Sequence, residues 1–231
     1  AVEDDAWYFP MRHEIDGGMN LPPENVIAWA QDNLTRPNQP KVGTNLLYDL
    51  DFLAQEGVEV EGPFYDIQVA EALINENLFG YDLDSMAERH LGVGKVKSEL
   101  AQWIWQAYGE KNYRKDIWRA PPCLVGPYAE GDAVQPLQIL KTQKKLLAAE
   151  NLLPIWDVEI NQIPMLLAMR RRGVRVDLKK TKQIEDKLTQ SIDEGKQRLN
   201  KMAGFEFNAD DKKHLIRLFT DNGLDIPKRS E

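Results

Sequence analysis

Residues 41–53, KVGTNLLYDLDFL, decide how this 231-residue chain is read. The run 41–44 is short enough to be a buried strand, and a helix is expected from Asn45 to Gly57. Asn45 and Asp49 stand four apart on that helix, so their side chains share one face. Residues 126–140, GPYAEGDAVQPLQIL, repeat the pattern with Tyr128 four positions before Asp132. Either pair alone is common on a solvated helix face. Their settings raise their weight: Asn45 lies at a strand-to-helix junction, where polar side chains reach a cleft. Tyr128 follows a proline-rich loop expected over 119–127 and opens a helix.

Carboxylates brought together by folding are what a divalent-metal phosphodiester site needs. Hard cations take oxygen ligands, offset the repulsion between them, activate a water and stabilise the leaving oxygen. Asp49 and Asp132 are therefore the candidate catalytic metal ligands, for Mg2+ or Mn2+ in a two-ion site. Tyr128 is the candidate for orienting the attacking water. Asn45 would contact substrate or fix Asp49.

Composition bounds the class. Hydrophobic residues make up 42% and charged residues 29%, as in a soluble globular protein. The longest apolar run is too short to span a membrane and the chain opens without a signal pattern, so no membrane partner is expected. The one cysteine, Cys123, excludes an internal disulfide and a cysteine zinc site, and fits a reducing, cytoplasmic setting as a buried or incidental thiol. Net charge is −8, unevenly spread: residues 1–133 carry 10 Lys and Arg against 23 Asp and Glu, and residues 134–231 carry 19 against 14. An acidic metal-binding module joined to a polyanion-gripping arm would produce this, as would two solvated surfaces of opposite sign.

Along the chain, residues 6–13 read as a strand and 23–34 as a helix opened by Pro22-Pro23. A further short strand is expected over 58–61, with Asp66 and Asp82 as N-caps for helices over 67–74 and 83–91. Another helix is expected over 98–108. From 137 to 202 the pattern is almost continuously helical, with Asp177 opening a long basic helix over 178–203 and Asn208 capping a last one through 219. Strands alternating with helices argue for an α/β module with a mixed sheet over 1–150, followed by a helical extension over 151–231.

The stretch 41–53 resembles the second exonuclease motif of the proofreading domain in family A DNA polymerases, the bacterial polymerase I type. The stretch 128–140 resembles their third. Residues 64–77, FYDIQVAEALINEN, and 81–92, YDLDSMAERHLG, resemble the segment between the two motifs. Residues 157–177 and 207–219 resemble the first helices of the polymerase domain and the base of its thumb. The version APPCLVGPYAEGD over 120–132 looks closer to phage relatives. The resemblance implies a ribonuclease H-like 3′–5′ exonuclease domain and the start of a polymerase. Single-stranded DNA 3′ ends would be bound at the exonuclease site and duplex at the thumb. It gives metal-ligand roles to Asp49 and Asp132, water positioning to Tyr128 and a substrate-side role to Asn45. Asp66 matches a family aspartate and is read as a cap, and His90 as structural.

The family's first motif, an Asp-x-Glu on the opening strand, has no good match here, since Glu3 and Asp5 have the spacing with the residue types reversed. Together with an opening at Ala1 inside a strand-like run, this reads as a piece of a longer polymerase chain lacking its N-terminal strands, with little nuclease activity by itself. Arg170, Arg171 and Arg172 cluster where cations complement a helix C-terminus and could hold DNA phosphates, or could simply solvate the helix. The six tryptophans read as core at least as readily as stacking platforms. A catalytically inactive DNA-binding or interaction module of the same fold, or a stand-alone nuclease with a helical tail, would share the first of these features. The segments GVRVD and FNADDKKHL favour the polymerase reading over the stand-alone one.

Overall fold

The computed structural model describes residues 1–3, 5–15, 17–93, 99–109 and 113–224. Packing divides the chain into two compact units, Ala1–Arg172 and Gly173–Glu231.

The first unit is mostly helical around a small sheet. Helix α1 (Pro23–Leu34) leads to strand β1 (Lys41–Gly43), helix α2 (Leu46–Gln55), strand β2 (Phe64–Asp66) and helix α3 (Ile67–Ile74). Helices α4 (Leu83–Leu91), α5 (Glu99–Tyr108), α6 (Pro122–Ala149), α7 (Leu153–Asn161) and α8 (Ile163–Arg172) follow, with 3-10 turns at Tyr113–Lys115 and Ile117–Arg119. The strands pair in parallel, Lys41 with Phe64, Val42 with Tyr65 and Gly43 with Asp66. Parallel pairing requires a crossover, and α2 supplies it. Both strands therefore end on the same edge, one feeding α2 and the other α3.

Helix α6 is the spine. Ile139, Leu140 and Leu147 enter a core with Ile67 and Ala70 of α3, Met86 and Ala87 of α4, and Trp156 and Ile160 of α7. Gln143 crosses this core, its Nε2 donating to the Ile67 carbonyl at 3.0 Å and to Glu71 at 2.7 Å. A smaller cluster joins Leu100 and Ile104 of α5 to Ala120 and Val125, with Tyr8 and Tyr128 against it.

The second unit holds α9 (Leu178–Ala203) and α10 (Lys212–Asp221). Asp177 caps α9 by accepting from the Lys180 amide. The turn between them is fixed by Asn200, which accepts from the Phe207 amide at 2.7 Å, and by Arg217 lying 4.0 Å over the Phe205 ring.

Several expectations hold to the residue: α1, the Asp66 and Asp82 caps and α9. Others change. The sheet is two parallel strands, β2 falls at 64–66 rather than 58–61, and residues 6–13 form no strand among the described residues. Pro10 removes a ladder donor there, and Tyr8 and His13 instead anchor the segment, the Tyr8 hydroxyl to His13 Nε2 and His13 Nδ1 to the Ala120 carbonyl at 2.8 Å. The proline-rich stretch is loop only to Pro121: Pro122 takes the first helical turn, where its missing N–H costs nothing, and α6 continues through Pro127 and Pro136. Asp211, rather than Asn208, caps α10, and Ser98 lies outside the described residues. Of the six tryptophans Trp156 is buried, whereas Trp7, Trp29, Trp105 and Trp118 are exposed. Cys123 is exposed too. The packing boundary at Gly173 lies beyond the compositional change near Glu150, because α7 packs on α3 and β2, and α8 on α2.

Candidate functional site

The site begins with a backbone device. Asp66 ends β2 and is buried, and its carboxylate accepts three amides: Asn45 at 3.1 Å, Leu46 at 2.8 Å and Gln68 at 2.9 Å. One side chain thus caps both α2 and α3, placing negative charge at two helix N-termini. This holds Asn45 in the left-handed region (φ 56°, ψ 50°), a conformation that Asn tolerates better than most residues. The turn also needs Gly43, where a Cβ would lie 2.6 Å from Leu46 Cδ2. The close approach lets Leu46 fold back into the core as α2 begins.

A cavity of about 780 Å³ opens beside this edge of the sheet. Asn45 and Asp49 line it from the start of α2, and Tyr128 and Asp132 from α6. Folding therefore brings together the two pairs seen in the sequence. Asp82, at the start of α4, and Arg114, on a 3-10 turn, line the same cavity. The sequence reading left both out of the site. Asp82 is also the cap of α4, the role its sequence position signals, and Arg114 sits in a short turn that carries no periodic signal.

The electrostatics mark the two aspartates. Asp49 is open to solvent on one side, yet the surrounding protein and then the nearby Asp66 carboxylate push its carboxyl above the usual carboxylate range. Burial pushes Asp132 up as well. The Tyr128 hydroxyl bonds to it and opposes that rise, Asp84 adds to it and Arg114 opposes it. Two carboxyl groups that resist ionisation thus face one cavity. Among the described residues, no group of three or more His, Cys, Asp or Glu side chains comes together as a metal site. Asp49 and Asp132 thus share a cavity with no third such side chain grouped with them among the described residues.

The expected arginine cluster is placed differently. Arg170 pairs with Asp51 at 2.9 Å, and Arg171 with Asp51 at 3.3 Å and Glu59 at 3.1 Å, so both are engaged by α2 and the segment after it. Arg172 is exposed at the end of α8. His90 donates to buried Glu71 at 2.6 Å inside the α3–α4–α6 core, away from the cavity lining.

A family model described as 3′–5′ exonuclease, of the DNA polymerase A type, matches residues 13–148. The chain belongs to this exonuclease family. A DNA-directed DNA polymerase of Pseudomonas phage M6 is 40% identical over 188 residues, which cover 80% of this chain and 28% of that protein. DNA polymerase DpoZ of Salmonella phage PMBT28 is 30% identical over 198 residues, 84% of this chain and 32% of the relative. The exonuclease-family chain thus spans less than a third of the length of these phage polymerases. Among solved structures, the POL domain of Pol1 from M. smegmatis, in complex with DNA primer-template and dNTP, matches 93% of this chain and 32% of its own. Its TM-score is 0.56 at 20% identity, a likeness of fold. No helix among the described residues is long and apolar enough to cross a membrane.

Proposed function

We propose that this chain is the proofreading part of a family A DNA polymerase, a 3′–5′ exonuclease domain over 1–150 followed by the helical start of the polymerase domain over 151–231. The convergence of Asn45, Asp49, Tyr128 and Asp132 on one cavity, within a chain of the exonuclease family, carries this reading. The two parallel strands would belong to a larger ribonuclease H-like mixed sheet. The setting is cytoplasmic, and the substrate is the single-stranded 3′ end of DNA.

Asp49 and Asp132 are the ligands this chain offers to Mg2+ or Mn2+, which when bound activate water and stabilise the leaving oxygen. Tyr128, already bonded to Asp132, holds that carboxylate and stands where it can orient a water. Asn45, fixed by its backbone, presents an amide to the substrate strand. Arg170, Arg171 and Arg172 would contact phosphates, the first two only after leaving Asp51 and Glu59. The basic helix α9 would track duplex phosphates.

Mn2+ binding, followed by electron paramagnetic resonance, tests the site. Asp49→Asn and Asp132→Asn should each weaken binding about tenfold or more, at least the loss typical when a group that merely supports a ligand is removed. Unchanged affinity in both variants would overturn the assignment.

A further inference from the structure

Arg114 has a position that the proposed site does not yet use. It lines the cavity with Asp132 and Tyr128, pairs with Asp84 of α4 at 3.6 Å, and its side chain is more than half exposed. The guanidinium thus has Asp84 as an ion-pair partner and Asp132 on the same cavity wall. The guanidinium has a rigid fork of donors that matches a phosphate as well as a carboxylate. On the proposed reading, cations bound at Asp132 would take over its neutralisation. The guanidinium would then repel those cations and be drawn to an entering polyanion.

Resting on that reading, we infer that Arg114 is a partner-exchanging phosphate ligand: it screens Asp132 and Asp84 until nucleic acid enters the cavity, and then turns to a phosphate of the single strand. Asp84 is its resting partner. The ion pair is a reservoir for the cation rather than a structural fastening, and breaking it from either end has opposite consequences.

The test uses the whole chain with a fluorescent oligothymidylate in Ca2+, read by anisotropy over a salt series, and Mn2+ titrated separately. Arg114→Ala should weaken oligonucleotide binding about 3- to 10-fold and lower the salt slope by about 0.7, the value for one phosphate contact on a single strand. Arg114→Lys should restore the slope but only part of the affinity, because a point charge lacks the fork. Asp84→Ala should bind the oligonucleotide as tightly as the unmodified chain or more tightly. A purely structural ion pair instead predicts weakening in both Arg114→Ala and Asp84→Ala. Arg114→Ala should also bind Mn2+ more tightly, by about 2- to 5-fold, as a nearby like charge is removed. Unchanged oligonucleotide affinity and slope in Arg114→Ala, with Mn2+ binding still lost in Asp132→Asn, overturns the role of Arg114 alone. Mn2+ binding indifferent to Asp49→Asn and Asp132→Asn, or an unmodified chain that does not bind the oligonucleotide, overturns the site reading and this role with it.

Discussion

Single side chains in this protein carry opposite stability signs according to what they face. Asp66 satisfies three amides at two helix starts, so Asp66→Ala should cost about 2–4 kcal/mol, read as a lower urea midpoint. Asp66→Asn keeps one acceptor oxygen and should lose less. Asp132 behaves in the opposite way. Burial raises its folded-state proton affinity above the unfolded value, so the folded state gains from the protonated form. That gain is complete below the unfolded carboxyl range, near pH 4, and is lost as pH rises through the folded value. Asp132→Asn should therefore melt higher than the unmodified chain at pH 8, by about 1–3 °C, and the advantage should vanish near pH 4. A variant melting lower at pH 8 would show that Asp132 is satisfied by its neighbours.

At the scale of elements, α3, α4 and α6 are joined by one buried charge. Burial pushes the Glu71 carboxyl up, but hydrogen bonds from Gln143, His90 and Arg89, with the charge of His90, bring it below the usual range. A depressed carboxyl stabilises the fold above its unfolded value and stops doing so as pH falls through the folded one. Acid should thus loosen this helix trio below about pH 4. Glu71→Gln should cost about 2 kcal/mol at pH 7, with the gap to the unmodified chain closing towards pH 3 in guanidinium titrations. Gln143→Ala removes a fully buried side chain with its hydrogen bonds to Glu71 and to the Ile67 carbonyl, and should cost about 3 kcal/mol at pH 7 and somewhat less near pH 3.

At the scale of the molecule, the buried apolar residues run from Ala30 to Ile163, all within the first unit. Helices α9 and α10 bury none of theirs. Stability should follow that distribution. A chain ending at Arg172 should keep the main melting transition within a few degrees. Residues 173–231 alone should melt broadly, with low cooperativity by circular dichroism. A sharp, independent transition from that piece would contradict the reading.

The elements whose signals are local were legible in the sequence. Asp66, Asp82 and Asp177 cap the helices assigned to them, because a cap is a contact between a side chain and an amide two or three residues away. The pair Tyr128–Asp132 was legible too, since helical spacing fixes which side chains share a face, whereas Asn45 stands just before α2 in a left-handed conformation and reaches the cavity through its cap position. Residues 6–13 looked like a strand and are not one, because pairing needs a neighbouring strand and no local pattern supplies it. The helical path of Pro127 and Pro136 was likewise hidden: packing of α6 against α3 and α4 outweighs the hydrogen bonds that the prolines remove. Asp66 bonding to Asn45, Arg114 reaching Asp84, and the Arg171 pairing with Asp51 and Glu59 each join residues far apart in sequence. Sequence determined which groups could carry the chemistry. Only the tertiary structure decided which of them share a cavity and which are neutralised elsewhere, because Coulomb and hydrogen-bond energies depend on distances that the chain acquires on folding.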